Sequence, residues 1–129
     1  MRPRKMTPMM VVERVEPSMA FWVDRLGFEK VAEVPEGEGI GFALLVKDGI
    51  EVMLQSLAGA EKEVPGLFSA GGTCLYLEVD DLDPVRPAVR GLEEVVPEKT
   101  TFYGKREIAV REPGGHIVIF AADAPKGRP

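Results

Sequence analysis

The chain carries one histidine and one cysteine, so chemistry that needs several such groups has little to draw on. His116 stands in REPGGHIVIFAAD, directly after a Pro-Gly-Gly turn and at the head of an apolar run. In an alternating strand it shares a face with Val118 and Phe120, opposite Ile117 and Ile119. The expectation is a surface turn residue on a hairpin exit, in a stretch that closes a sheet. Cys74, in TCLYLEV, has apolar neighbours on both sides and reads as a buried, inert thiol. Ser18, Ser56 and Ser69 have no nucleophile-elbow context, and a single histidine leaves no triad. No Walker or dinucleotide fingerprint is present. Gly37 and Gly39 lie in an acidic turn, which is unsuited to phosphate.

Two stretches hold better candidates. In IEVMLQS, Glu51, Met53 and Gln55 share one strand face, and Val52 and Leu54 the other. The second face is the apolar one and should pack on a helix. The first either lines a site, with a carboxylate, a thioether and an amide, or is a solvated strand face. In TFYGKREI, the aromatic Phe102 and Tyr103 precede a glycine and Glu107 follows. Aromatic rings at the mouth of a site stack on planar ligands, and Glu107 could pair a ligand amine. The alternative is a hairpin with a charged, exposed face. Phe42 and Phe68 are further candidates. Trp22 belongs to the stripe Met19, Trp22, Val23 and Leu26, spaced i, i+3, i+4, i+7, and is assigned to the core.

These residues need elements to hold them. Met9 to Val12 reads as a strand. A helix follows, with Pro17 at its first position and Gly27 as its stop. Strands are expected over Phe28 to Val34, Ile40 to Lys47 and Ile50 to Leu57, separated by the turn sequences PEGEG and KDG. Ala58 to Gly72, with Pro65, Gly66, Gly71 and Gly72, reads as a loop. A second series starts with a strand over Thr73 to Val79. Asp83-Pro84 then opens a helix that ends near Gly91 and is kept short by Pro87. Strands at Glu93 to Val96, Glu107 to Arg111 and His116 to Ala122 complete it, and APKGRP is a tail.

Bulk properties set the frame. The 129 residues are 45% hydrophobic and 29% charged, which suits a soluble domain with a sizeable core rather than a disordered chain. A net charge of −5 disfavours nucleic acid, whose phosphates need a basic surface. No apolar run approaches the roughly 18 residues of a membrane span, so no membrane partner is expected. One cysteine forbids an internal disulfide and suits a reducing compartment. MRPRKMTPMMVVERV lacks a small-residue cleavage site. The expectation is a cytoplasmic protein with a frayed N-terminus.

The halves repeat. Val11 to Val23 overlays Leu77 to Val89 at a constant offset of 67, with Val12 on Val79, Val15 on Leu82, Glu16 on Asp83 and Pro17 on Pro84. FALLVKDGIEVML resembles EIAVREPGGHIVIF once a gap enters the turn. Such self-similarity points to duplication. The fold class expected is α+β, a single domain over 1–129 built from modules 7–57 and 73–123.

A duplicated β-α-β-β-β module with AFWVDRLGF in its first helix and EPGGHIVIF in its last hairpin resembles the glyoxalase / bleomycin-resistance / extradiol-dioxygenase (vicinal oxygen chelate) superfamily. FALLVKDGIEVML and YGKREIAVREPGGH look most like its single-domain bleomycin-resistance-like branch. The resemblance implies paired βαβββ modules whose curled mixed sheets form a cleft, and a homodimer. Exposed sheet edges give the homodimer separate support. It also implies four metal positions, falling at Thr7, Cys74, Glu51 and Ile119. Only Glu51 is a normal oxygen ligand, Ile119 cannot coordinate, and Cys74 would be a partner of mixed hardness. No metal and no cofactor are therefore expected. The function expected is metal-independent binding of a small, partly aromatic or cationic molecule, similar to antibiotic-sequestering members, at Phe42, Glu51, Met53, Gln55, Phe102, Tyr103 and Glu107. The alternative is a lyase, isomerase or dioxygenase with an unusual metal site using Glu51 and Cys74. A third reading is a protein without a ligand, acting through its dimer.

Overall fold

A computed structural model describes residues 1–125; residues 126–129 of the expected tail lie outside the described residues. The chain divides into two units: Met1–Gly72 with Pro113–Gly115, and Thr73–Glu112 with the described residues 116–125.

The first unit holds β1 (Met9–Val12), α1 (Val15–Ala20), β2 (Glu29–Glu36), β3 (Gly39–Lys47), β4 (Ile50–Ser56) and α2 (Leu57–Glu63). Its four-stranded sheet has the order β1-β4-β3-β2. β1 runs parallel to β4, and the other pairs are antiparallel. The Lys-Asp-Gly turn joins β3 to β4 as expected. Asp48 and Gly49 both take positive φ, 50° and 81°, as a two-residue hairpin whose twist matches its strands requires. Alternation sets the two faces of β4: Val52 and Leu54 are buried, while Glu51, Met53 and Gln55 are half-buried. The Glu16 carboxylate accepts the Ile40 N–H at 2.9 Å and so ties α1 to β3. Its own backbone N–H and then that bond hold its pKa low.

The helix departs from the expected stripe. It starts at Val15, two residues before Pro17, and α1 gives way to a wide π-helical turn over Phe21–Arg25. The Leu26 N–H donates five residues back to the Phe21 carbonyl at 3.2 Å. The extra residue turns both Phe21 and Trp22 inward, with Val15 and Ser18, and leaves Met19, Val23 and Leu26 half-buried. Gly27 does end the helix. Its φ of 81° lets the Phe28 N–H reach the Trp22 carbonyl at 2.9 Å. Trp22 meets Phe28 edge-on at 5.0 Å and Phe21 at 5.9 Å. Trp22 is core, as its stripe implied, though the face is rotated.

Part of the expected 58–72 loop is helical. Ser56 ends β4 and caps α2, its hydroxyl accepting the Gly59 N–H at 3.1 Å. The serine supplies an orphan donor with a partner, and this outweighs the glycine in the helix's first turn.

The second unit repeats the plan with β5 (Cys74–Glu78), α3 (Val85–Ala88), β6 (Glu93–Thr100), β7 (Lys105–Arg111) and β8 (Ile117–Asp123). Its sheet order, β5-β8-β7-β6, is that of the first, again with one parallel pair. The fold is α+β: two four-stranded mixed sheets, neither closed. α3 has four residues, as Pro87 implied. Leu82, Val85, Ile108, Val110, Val118 and Phe120 are buried.

His116 is not a surface residue. It shares the face of Val118 and Phe120, as alternation required, but that face is covered, and His116 is only 1% exposed. Its Nδ1 accepts the Thr73 N–H at 3.1 Å. Its own N–H donates to the Glu112 carboxylate at 3.1 Å, and its carbonyl accepts the Glu112 N–H at 2.8 Å. The stretch does close a sheet, with the histidine as a buried acceptor for the residue just before β5. The expectation for Cys74 also fails, since the thiol is exposed. β5 is an edge strand, and Cys74, Tyr76 and Glu78 lie on its open face, whereas Leu75 and Leu77 are half-buried on the other.

Candidate functional site

The first unit brings four of the candidates onto one sheet face. Phe42 pairs with Gln55, Leu44 with Met53, and Val46 with Glu51 across the β3–β4 ladder. Met9 and Val11 continue the face from β1. Phe42, Leu44, Val46 and Met53 are half-buried, Val11 is buried and Met9 exposed, and Gln55 and the Glu51 carboxylate are the polar groups of the face. Glu51 is already engaged, because Lys5 Nζ lies 2.5 Å from its Oε2. A cationic ligand would have to displace that lysine. Phe68 lies in the segment after α2 and is exposed.

The second unit gathers a tighter constellation on the corresponding face. β7 presents Glu107, which is 7% exposed. The turn between β6 and β7 presents Tyr103, and β5 presents Tyr76. The Tyr76 hydroxyl donates to Glu107 Oε2 at 2.5 Å, and the Tyr103 hydroxyl to the same oxygen at 2.6 Å. Both rings are half-exposed, 46% and 54%. Phe102 sits at the tip of the turn, 99% exposed, with its ring edge-on to Tyr103 at 4.9 Å. The turn is held by its own bonds. The Lys105 N–H donates to Thr101 Oγ1 at 3.0 Å, and the Thr101 N–H to the Lys105 carbonyl at 2.7 Å. Ala121 is the register partner of Glu107, and Ala109 of Ile119. Two small buried residues thus lie among Tyr76, Ile119 and Glu107.

The electrostatics follow from these contacts. The two phenol hydroxyls stabilise the ionised Glu107, hold its pKa below the ordinary carboxylate value against the effect of burial, and are helped by Lys99. The same bonds push Tyr76 well above the ordinary phenol value, because losing its proton would set an anion against the Glu107 carboxylate. Lys105, two residues along the face, is held charged by Asp123 at 2.8 Å and Glu78 at 2.9 Å.

Sequence reasoning named Tyr103, Phe102 and Glu107 but missed Tyr76. The signal was present, since alternation in CLYLE puts Tyr76 on the face opposite the half-buried leucines. What could not be read is that this face carries Glu107, 31 residues away.

The residues do not fit a family-type metal site. Met9 pairs with Met53 and Tyr76 with Ile119, and Met9 and Tyr76 stand at the same 67-residue offset as Thr7 and Cys74. The counterpart of Ile119 is therefore Met53 rather than Glu51, a correction to the positions the resemblance implied. A threonine, a thioether, a thiol and an isoleucine are a poor donor set for a hard divalent ion. Among the described residues, no group of three or more His, Cys, Asp or Glu side chains could hold a metal ion. Purified protein is expected to carry no stoichiometric zinc, nickel, iron or manganese, and a chelator should leave its melting temperature unchanged. Elemental analysis with paired melts would check this. One equivalent of metal whose removal lowers the melting temperature would refute it. By strand register, Glu107 pairs with Ala121, two residues beyond Ile119, as Phe42 pairs with Gln55, two residues beyond Met53, so Glu107 in the second unit stands where Phe42 stands in the first. The two faces belong to sheets of the same strand order and differ in chemistry.

Comparison with known proteins agrees with this geometry. A family model described as Glyoxalase/Bleomycin resistance protein/Dioxygenase superfamily matches residues 7–120. A solved glyoxalase/bleomycin resistance protein/dioxygenase from Nocardioides superposes with a TM-score of 0.75 at 23% identity, covering 100% of this chain and 89% of that one. The bleomycin-binding protein from bleomycin-producing Streptomyces verticillus, complexed with copper(II)-bleomycin, gives 0.66 at 25% identity, covering 95% and 98%. A lactoylglutathione lyase from Agrobacterium tumefaciens gives 0.75 at 15% identity, covering 94% and 95%. No curated protein matches the chain in sequence. Among the described residues, no helix is long and apolar enough to cross a membrane.

Proposed function

Because the chain belongs to the glyoxalase/bleomycin resistance protein/dioxygenase superfamily, we propose that it binds a small, partly aromatic or cationic organic molecule without a metal, at a site that includes Tyr76, Phe102, Tyr103 and Glu107. The observation that carries this reading is the Glu107 carboxylate, nearly buried yet kept ionised by two phenols whose rings remain half-exposed. Such a group offers a fixed negative charge beside aromatic surface, which suits cations and planar rings. It is ill placed for proton transfer. A general acid or base works best with a pKa near the operating pH, and here the carboxylate is pushed down and the phenol up. The similarity to a bleomycin-binding protein supports capture of a small molecule over turnover.

The test is thermal melting with bleomycin and a panel of planar aromatic amines, with and without a chelator. At least one compound should raise the melting temperature, since a ligand at about 100 times its Kd adds roughly 2.7 kcal/mol to the folded state. Glu107→Gln, which keeps shape and removes charge, should weaken that compound about tenfold or more. Stabilisation that disappears with the chelator, or that Glu107→Gln leaves intact, would overturn the reading.

We also propose that the chain pairs as a homodimer. Neither sheet closes, and the edge strand β2 exposes Val31 and Val34, a surface that pairing would cover. Sedimentation at micromolar concentration should report twice the chain mass. A monomer with no concentration dependence would exclude it.

A further inference from the structure

We infer that the head group recognised at this site is a protonated amine that still carries N–H donors, because the outward polar atoms of Tyr76, Tyr103 and Glu107 are all acceptors. The inference rests on the binding site proposed above and narrows its ligand class.

A phenol has one proton and two lone pairs. In Tyr76 and Tyr103 that proton is committed to Glu107 Oε2, so each hydroxyl turns lone pairs outward. Glu107, held ionised, has no proton to give. A ligand carboxylate, phosphate or carbonyl therefore finds no donor on these three residues, whereas an ammonium can donate to both phenol oxygens while the carboxylate behind them balances its charge. The neighbouring charges agree. Glu78, Glu93, Glu107 and Asp123 share the face with Lys99, Lys105 and Arg111, and the Lys105 ammonium is engaged by Glu78 and Asp123. Four carboxylates against three cations leave the face negative. The aromatic rings of Phe102 and Tyr103 would cover the apolar part of such a ligand. A quaternary ammonium would meet the charge and the rings but leave the phenol lone pairs unused.

Four probes of one shape separate these terms: 2-phenylethylamine, its N,N,N-trimethyl derivative, 2-phenylethanol and 3-phenylpropionate. Each is titrated into the full-length protein while the backbone amide resonances of Gly104, Lys105, Glu107 and Ala121 are followed by NMR. The amine should shift these resonances and bind about tenfold or more tightly than the trimethyl derivative or the alcohol. The propionate should show no saturable shift. In the Tyr76→Phe/Tyr103→Phe double variant, which keeps the Glu107 carboxylate and removes both acceptor hydroxyls, the amine should fall to the affinity of its trimethyl derivative, and the affinity of the trimethyl derivative should hold. Well-dispersed spectra of the variant would show that it folds. Amine and alcohol binding equally at these amides would overturn the head-group inference while the binding site stands. Tighter binding of the propionate would do the same. If none of the four probes moves these amides, the proposed site itself fails, and the inference fails with it.

Discussion

Replacing Trp22 by alanine is expected to cost about 3–5 kcal/mol of folding stability, the range for deleting a large buried aromatic and leaving a cavity. Trp22 is 1% exposed and packs edge-on against Phe21 and Phe28, both buried. A domain of this size has about 5–15 kcal/mol in all, so the variant should lie near the edge of folding. Urea unfolding followed by far-ultraviolet circular dichroism measures the change. Fluorescence would not serve, since Trp22 is the only tryptophan. Trp22→Phe should cost well under half as much. It keeps a ring, and the indole Nε1 it removes has no hydrogen-bond partner among the described residues. A loss under about 1 kcal/mol for the alanine variant, the size of an ordinary surface change or little more, would show that the aromatic trio is not the centre of the unit's core.

Replacing His116 by alanine should cost roughly 2–4 kcal/mol, from a void and a part-buried N–H left without its acceptor. The donor is Thr73, one residue before β5. Its loss should loosen the start of that strand, and hydrogen exchange at the Thr73 and Ile117 amides should rise with the fall in stability. Ile117 is informative because its N–H donates to the Thr73 carbonyl at 2.8 Å. His116→Asn, which keeps an acceptor on a shorter side chain, should fall between wild type and alanine. A surface histidine would give a change within about 0.5 kcal/mol, and that result would restore the reading of a solvated turn.

His116 marks the limit of what alternation can say. Its spacing from Val118 and Phe120 assigned it correctly to their face. Whether that face meets solvent or a packed layer is not a property of the strand. Cys74 shows the converse: apolar neighbours in sequence implied burial, yet the neighbours of a strand residue point to the opposite face. The helix at Leu57–Glu63 was missed for another reason. The glycines and proline of the 58–72 stretch are loop signals, whereas the capping hydroxyl of Ser56 belongs to the end of a strand.

By itself the sequence determined the order of the strands, the repeat along the chain, the Asp48-Gly49 turn and which residues of IEVMLQS share a face. All of these rest on local periodicity, turn chemistry and a repeat that can be read along the chain. Only the tertiary structure decided that Tyr76 meets Glu107 and Tyr103, and that Met53 rather than Glu51 is the counterpart of Ile119. It also decided that Glu51 is held by Lys5 and that His116 is enclosed. Each of these depends on strand register or on what packs over a face. Both are set by contacts between residues tens of positions apart, where the pattern along one strand carries no information about its neighbour.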